Sequence, residues 1–182
     1  MSSKLGILAG GGDLPARLIQ VCRQTGRPYF VIAIEDQMDP ALISSEIPHA
    51  WVRLGAAGEA IERLRAENVE ELVMAGRVKR PGLSSLKPDS WTAKFFAKVG
   101  LKALGDDGLL KSIVAALETE GFRVVGPESV ITDLLAPAGV CGAVTPDHQA
   151  EDDIARGVEV AHGLGGLDVG QAVVVQQGLV LA

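Results

Sequence analysis

Short, continuous apolar runs alternate along this chain with stretches whose apolar residues recur at helical spacing. The runs are Leu5–Ala9, Pro28–Ile34, Ala50–Arg53, Glu71–Ala75 and Phe122–Val125, each of strand length. The helical stretches are Asp13–Thr25, Ala57–Glu67, Trp91–Ala103, Asp106–Glu120 and Glu151–Leu164. Gly26 and Gly121 stand where helix C-caps belong. Strands that are apolar throughout and separated by helices predict a parallel sheet covered on both faces. The expected fold is α/β, a Rossmann-like, doubly wound, mostly parallel sheet. The least regular stretch is Arg77–Asp89, which holds Pro81, Gly82 and Pro88.

Near the end of the chain, Ala172–Gln176 and Leu179–Ala182 read as two strands around Gln177-Gly178, a hairpin signal. A domain that stops inside a bare apolar strand leaves an open edge. The expectation is therefore a fragment. All 182 residues would form the N-terminal α/β domain of a two-domain protein, with the hairpin leading toward a C-terminal domain absent from the chain.

Composition narrows the class. Apolar residues make up 47% of the 182, and the mean hydropathy is +0.25, so the chain is globular and not disordered. No apolar run approaches the roughly 20 residues that span a bilayer. Met-Ser-Ser-Lys leads straight into the first strand, so no secretory signal is expected. Cys22 and Cys141 form no C-x-x-C pair, and both are expected to be reduced, buried thiols of a cytoplasmic protein. The net charge of −6 argues against a nucleic-acid partner.

The stretch richest in chemistry is Leu5–Pro15. An apolar run meets Gly10, Gly11 and Gly12, then Asp13 and Pro15 open a helix. Glycine has no Cβ to hold a ligand's phosphates off the backbone. The free N–H groups and dipole of a helix N-terminus then favour an anion. The stretch departs from the dinucleotide fingerprint G-x-G-x-x-G, because Pro15 stands where the third glycine belongs. Pro15 suits a first helical turn, with Asp13 as N-cap. The plain alternative is a strand-to-helix turn that binds nothing.

In open α/β sheets ligands bind beyond the carboxyl ends of the strands, which makes the residues after each strand the next candidates. Glu35 and Asp36 follow the second strand, where an acid suits a ribose hydroxyl; otherwise they are simply solvated. The fourth strand is followed by Gly76-Arg77-Val78-Lys79-Arg80, whose cations match phosphate oxygens or form a solvated basic loop. Asp106 and Asp107 open a helix, and paired carboxylates can hold Mg²⁺ or merely cap it. Gln171 can donate its amide to a ligand or close a turn.

Lys94, Lys98 and Lys102 form a basic stripe beside Trp91, Phe95 and Phe96. Such a helix fits an inner-membrane surface or a lipid-gripping wall, and equally an ordinary packed helix with a solvated lysine face. His49, His148 and His162 are scattered without metal-ligand spacing.

Five stretches in register resemble one family. They are Leu5–Pro15, Ala75–Pro81, Gly105–Leu110, Leu167–Gln171 and Gln177–Ala182. The chain is similar to the LpxI family, the UDP-2,3-diacylglucosamine pyrophosphatases of lipid A synthesis in some Gram-negative bacteria. The resemblance runs in order along all 182 residues.

It implies hydrolysis of a lipid-linked UDP-sugar, with a divalent metal such as Mg²⁺, to UMP and 2,3-diacylglucosamine 1-phosphate. It also implies that the catalytic acids lie largely in the C-terminal domain, so none is carried onto a position here. On that basis the chain alone is expected to bind poorly and not to turn over. Gly10, Gly11, Gly12, Asp13, Gly76, Arg77, Lys79, Arg80 and Gln171 are the candidate substrate contacts, with Asp106 and Asp107 for the metal. A homo-oligomer and a peripheral place on the inner membrane are compatible with this picture. The rival is a nucleotide- or NAD-binding Rossmann-like module of an unrelated enzyme.

Overall fold

The computed structural model describes residues 3–79, 87–99, 106–167 and 169–182; of 106 and 107 it describes the backbone alone. The chain divides into two compact units that meet at Leu135 and Ala136.

The first unit contains the predicted sheet. Its strands are β1 (Leu5–Ala9), β2 (Tyr29–Ile34), β3 (His49–Val52), β4 (Glu71–Ala75) and β5 (Arg123–Val125). They lie in the order β3-β2-β1-β4-β5, and every neighbouring pair is parallel. The helices are α1 (Leu14–Thr25), α2 (Ala57–Ala66), α3 (Ser90–Val99) and α4 (Asp106–Thr119), each within a few residues of its expected bounds. Gly26 ends α1 at φ 68°, and Gly121 follows α4 at φ 97°. Both take the left-handed conformation that glycine adopts without strain.

Side chains alternate across a strand, and both faces of this sheet are buried. Leu5, Ile7 and Ala9 of β1 pack with Val31, Ala33 and the α1 residues Leu18, Ile19 and Cys22. Phe30, Ile32 and Leu72 point the other way, toward Ile61 and Leu64 of α2 and Leu117 of α4. Apolar side chains are thus required on both faces, which is why these strands read as unbroken apolar runs. Cys22 is buried as expected, and burial pushes its thiol pKa up against the opposing pull of Arg27. Cys141 corrects the expectation, because it is exposed in the loop that opens the second unit.

At the amino ends of the strands, Glu71 is buried. It accepts a hydrogen bond from Ser3 at 3.0 Å and pairs with Arg27 and Arg123. A carboxylate can be buried there only because two guanidiniums meet it.

The second unit, from Ala136 to Ala182, holds α5 (His148–Gly166), β6 (Val175–Gln176) and β7 (Leu179–Val180). Gln177 at φ 50° and Gly178 at φ 79° make the tight turn expected between the two strands. The Asp153 carboxylate of α5 accepts both turn N–H groups, at 2.8 Å and 2.7 Å. The helix and hairpin therefore hold each other, and the sheet of the first unit does not extend into the hairpin. This corrects the expectation that all 182 residues form one N-terminal domain. The signal was present in the Pro137-Ala-Gly-Val-Cys-Gly142 stretch, whose proline and glycines mark a connection.

Asp89 ties two helices of the first unit together. Its carboxylate caps α3 by accepting from Thr92 N–H at 2.8 Å, and caps α2 by accepting from Gly58 N–H at 2.7 Å and Glu59 N–H at 3.3 Å. Thr92 reciprocates by accepting Ala57 N–H at 3.1 Å. Burial raises the Asp89 pKa, but the hydrogen bonds from Thr92, Glu59 and Gly58 outweigh it and leave the group below its ordinary value. The carboxylate therefore contributes stability fully above the unfolded value of about 3.9, and loses it as pH falls through the lower folded value. Asp89→Ala should cost about 1–2 kcal/mol at pH 7 in a urea melt. The gap to the parent should close as the melts are repeated below about pH 4; a gap that stays constant with pH would show that the carboxylate charge contributes nothing.

Candidate functional site

The order of strands reverses between β1 and β4, and the crevice at that switch point is where α/β sheets of this kind place ligands. The loops that leave the two strands meet there. Gly10 N–H donates to Ala75 O at 2.8 Å, continuing the ladder. Beyond it Gly11 and Arg77 exchange both backbone hydrogen bonds, each at 2.8 Å, as an antiparallel bridge. A Cβ on Gly10 would lie 2.6 Å from Arg77 O, and one on Gly76 would lie 2.6 Å from Gly11 O. Only glycine fits at either position. Gly76 also holds φ 90°, which a larger residue rarely adopts.

A third loop joins them. Gly11 packs on the loop after β2, where a Cβ would stand 2.9 Å from Gln37 O. The Gln37 side chain then accepts Lys79 N–H through Oε1 at 2.7 Å. Three loops, after β1, β2 and β4, are thus laced into one edge.

Gly12 differs from its neighbours. It takes φ 95°, and a Cβ built on it would meet nothing within 4 Å. Its open side adjoins the start of α1. Asp13 occupies the N-cap position, yet it sits at helical angles (φ −86°, ψ −18°) and its side chain makes no capping bond. Among the described residues, the N–H groups of Gly12, Asp13 and Leu14 have no hydrogen-bond acceptor. Pro15 is fully buried in the first turn of α1. A proline therefore packs under the helix where the dinucleotide fingerprint has its third glycine.

The side chains of Arg77 and Lys79 are exposed and make no hydrogen bond or ion pair among the described residues. Together with the free N–H groups of α1, they give this edge the donors that an anionic group needs. Arg80 lies outside the described residues. Gln171 lies in the second unit and is exposed. Asp106 and Asp107 are the first two residues of α4, and their side chains lie outside the described residues. Among the described residues, no three His, Cys, Asp or Glu converge as a metal site would require.

Beside this edge, at the carboxyl ends of β2 and β3, lies an open cavity of about 580 Å³. It is lined by Glu35, Asp36, Met38, Pro40, Ile43 and Trp51. The acids were legible in the sequence as a strand-end pair. Trp51 was not, because nothing in a four-residue edge strand says which side chain faces a cavity.

The aromatic cluster of α3 is partly structural. Trp91 stacks on Phe95 with ring centroids 5.7 Å apart, and its indole N–H donates to Glu120 at 2.6 Å. That hydrogen bond, reinforced by Arg65 on the same carboxylate, holds the Glu120 pKa down. Trp91 packs against the α2–α4 side of the core, so it serves the core. Phe95 and Phe96 are half-buried, and Lys94 and Lys98 are exposed. Lys102 lies outside the described residues. No helix among the described residues is long and apolar enough to cross a membrane.

Comparison with known proteins agrees with the division into two units. The sequence profile of the LpxI N-terminal domain matches residues 4–134, and that of the LpxI C-terminal domain matches residues 137–182. The UDP-2,3-diacylglucosamine pyrophosphatase LpxI of Caulobacter vibrioides is 38% identical over 180 residues, covering 98% of this chain. The chain spans 64% of that protein's length.

Among solved structures, the Bordetella bronchiseptica enzyme WbmG in complex with NAD is 16% identical, with a TM-score of 0.44 over 69% of this chain and 37% of that one. The same enzyme with NAD and UDP gives a TM-score of 0.42 over 67% and 36%. These two likenesses are loose, and no residue is matched through them. Membership rests on the two profiles and the Caulobacter relative, and by these the chain belongs to the LpxI family.

Proposed function

We propose that this chain forms the nucleotide-handling part of a hydrolase that cleaves UDP-2,3-diacylglucosamine to UMP and 2,3-diacylglucosamine 1-phosphate. The observation that carries the proposal is the 38% identity, along 98% of the chain, to a protein named for that activity. The laced edge at the switch point supports it chemically. Breaking a diphosphate develops charge on phosphate oxygens, and preorganised donors aimed at that charge lower the barrier.

In this proposal the N–H groups of Gly12, Asp13 and Leu14 face one phosphate, and Arg77, Lys79 and Arg80 neutralise the other. Gly10, Gly11 and Gly76 act indirectly, by allowing the three loops to close. Gln171, in the second unit, remains a candidate contact on the family resemblance alone. A divalent cation, Mg²⁺ in the first instance, would supply further charge neutralisation. It enters on the family resemblance and on the adjacent acids Asp106 and Asp107. The substrate's acyl chains bring the protein to an inner-membrane surface, for which Phe95, Phe96, Lys94 and Lys98 are the candidate contacts.

The test is a chimera in which this chain replaces the matching 180 residues of the Caulobacter protein. It should release UMP from UDP-2,3-diacylglucosamine with Mg²⁺, whereas the chain alone should bind UDP and release none. A chimera that melts cooperatively and releases no UMP would sink the proposal.

In the active chimera, Arg77→Ala and Lys79→Ala should each raise KM about tenfold, the loss of one charge-assisted hydrogen bond. Neither should lower the melting temperature, because neither side chain is paired among the described residues. Asp106→Asn and Asp107→Asn should each raise the Mg²⁺ concentration needed for half-maximal rate. Variants that lose thermal stability but keep the parent Mg²⁺ dependence would assign both acids to the helix terminus alone.

A further inference from the structure

We infer that the cavity at the carboxyl ends of β2 and β3 is the nucleoside subsite, with Trp51 as the wall for the base and Glu35 and Asp36 as acceptors for the ribose hydroxyls. This rests on the proposal above for the identity of the nucleotide, but its evidence is separate.

The cavity, at about 580 Å³, falls within the size range of small-molecule sites. Its lining is of two kinds. Met38 is buried, and Ile43 and Trp51 pack against the same side of the core, which leaves an apolar floor and an aromatic wall. Glu35 and Asp36 stand on the rim, exposed, with no hydrogen bond or ion pair to their carboxylates among the described residues. A flat, weakly polar base suits the floor and wall. Two such carboxylates suit a pair of vicinal hydroxyls, each of which has a proton to give.

Position singles out a nucleotide among ligands with those features. Trp51 pairs in register with Ala33 on β2, and Ala33 pairs with Ala9, the last residue of β1. The β2 end of the cavity is therefore one strand spacing from the glycine loop, and the Trp51 wall two. Gln37 joins the two places: its carbonyl lies under Gly11, and its side chain holds Lys79 N–H. A ligand seated in the cavity would project its next group across Gln37, toward the N–H groups of α1 and the cations Arg77 and Lys79. A base, a ribose and a phosphate occur in that order in a nucleotide. Asp36 takes φ 61° where the chain turns at the rim.

The experiment is a titration of the ¹⁵N-labelled chain with UMP, followed at the indole N–H resonances. The chain has two tryptophans, and Trp51→Phe identifies which signal belongs to which. The Trp51 signal should shift saturably while the Trp91 signal stays in place. Deoxy-UMP, which lacks one of the two hydroxyls, should bind about tenfold more weakly. Glu35→Ala or Asp36→Asn should weaken UMP and erase its advantage over deoxy-UMP, with the amide spectrum otherwise unchanged.

No saturable UMP binding, a shift confined to Trp91, or equal affinity for UMP and deoxy-UMP would overturn the inference. The readout does not depend on catalysis. Saturable UMP binding at Trp51, with a folded chimera that cleaves nothing, would keep the subsite and remove the hydrolase. Cleavage with a stationary Trp51 would do the reverse.

Discussion

The loops that leave β1 and β4 are joined by two backbone hydrogen bonds between Gly11 and Arg77, and most of the candidate site follows from that contact. The backbones can approach this closely only where Cβ atoms are missing, at Gly10 and Gly76. The bridge brings Arg77 beside the start of α1. It also brings Lys79 within reach of Gln37, and through Gln37 it ties in the loop after β2. Cations on one loop, free N–H groups on a second and carboxylates on a third thereby share one edge of the sheet. A glycine-rich loop after a first strand is usually read as leaving room for phosphate. Here two of the three consecutive glycines leave room for neighbouring backbone, and Gly12 alone faces open space.

The two ends of the sheet are built differently. At the amino ends of the strands the polar groups are consumed: Glu71 is buried between Arg27 and Arg123 and takes a further bond from Ser3. At the carboxyl ends Glu35, Asp36, Arg77 and Lys79 are exposed and unpaired among the described residues. Charges that meet partners inside a fold fix it in place. Charges held in position without partners are available to a ligand. The contrast separates the residues that stabilise this unit from those that can recognise something.

The second unit rests on different contacts. Asp153 clamps the hairpin turn, and Gly157 lets Val173 and Val175 come close to α5. No residue of α5 is buried, so its stability owes more to local hydrogen bonds than to a core. Its match to the C-terminal domain of the family, residues 137–182, accounts for a helix and hairpin that take no part in the parallel sheet.

The sequence by itself determined the architecture. Both faces of a parallel sheet are buried, so each central strand must be apolar along its buried length, and that demand is written into Leu5–Ala9, Tyr29–Ile34 and residues 72–75. Turn and cap chemistry is local in the same way, which is why Gly26, Gly121 and Gln177-Gly178 were legible. The candidate loops were legible too, because a strand's carboxyl end is known once the strand is.

Tertiary structure alone decided what those loops do to one another. That Gly11 bridges Arg77, that Asp89 caps a helix some thirty residues upstream, and that Trp51 walls a cavity beside Glu35 are contacts between segments far apart in the chain. Their partners are chosen by strand order, and strand order leaves no periodic mark in a sequence.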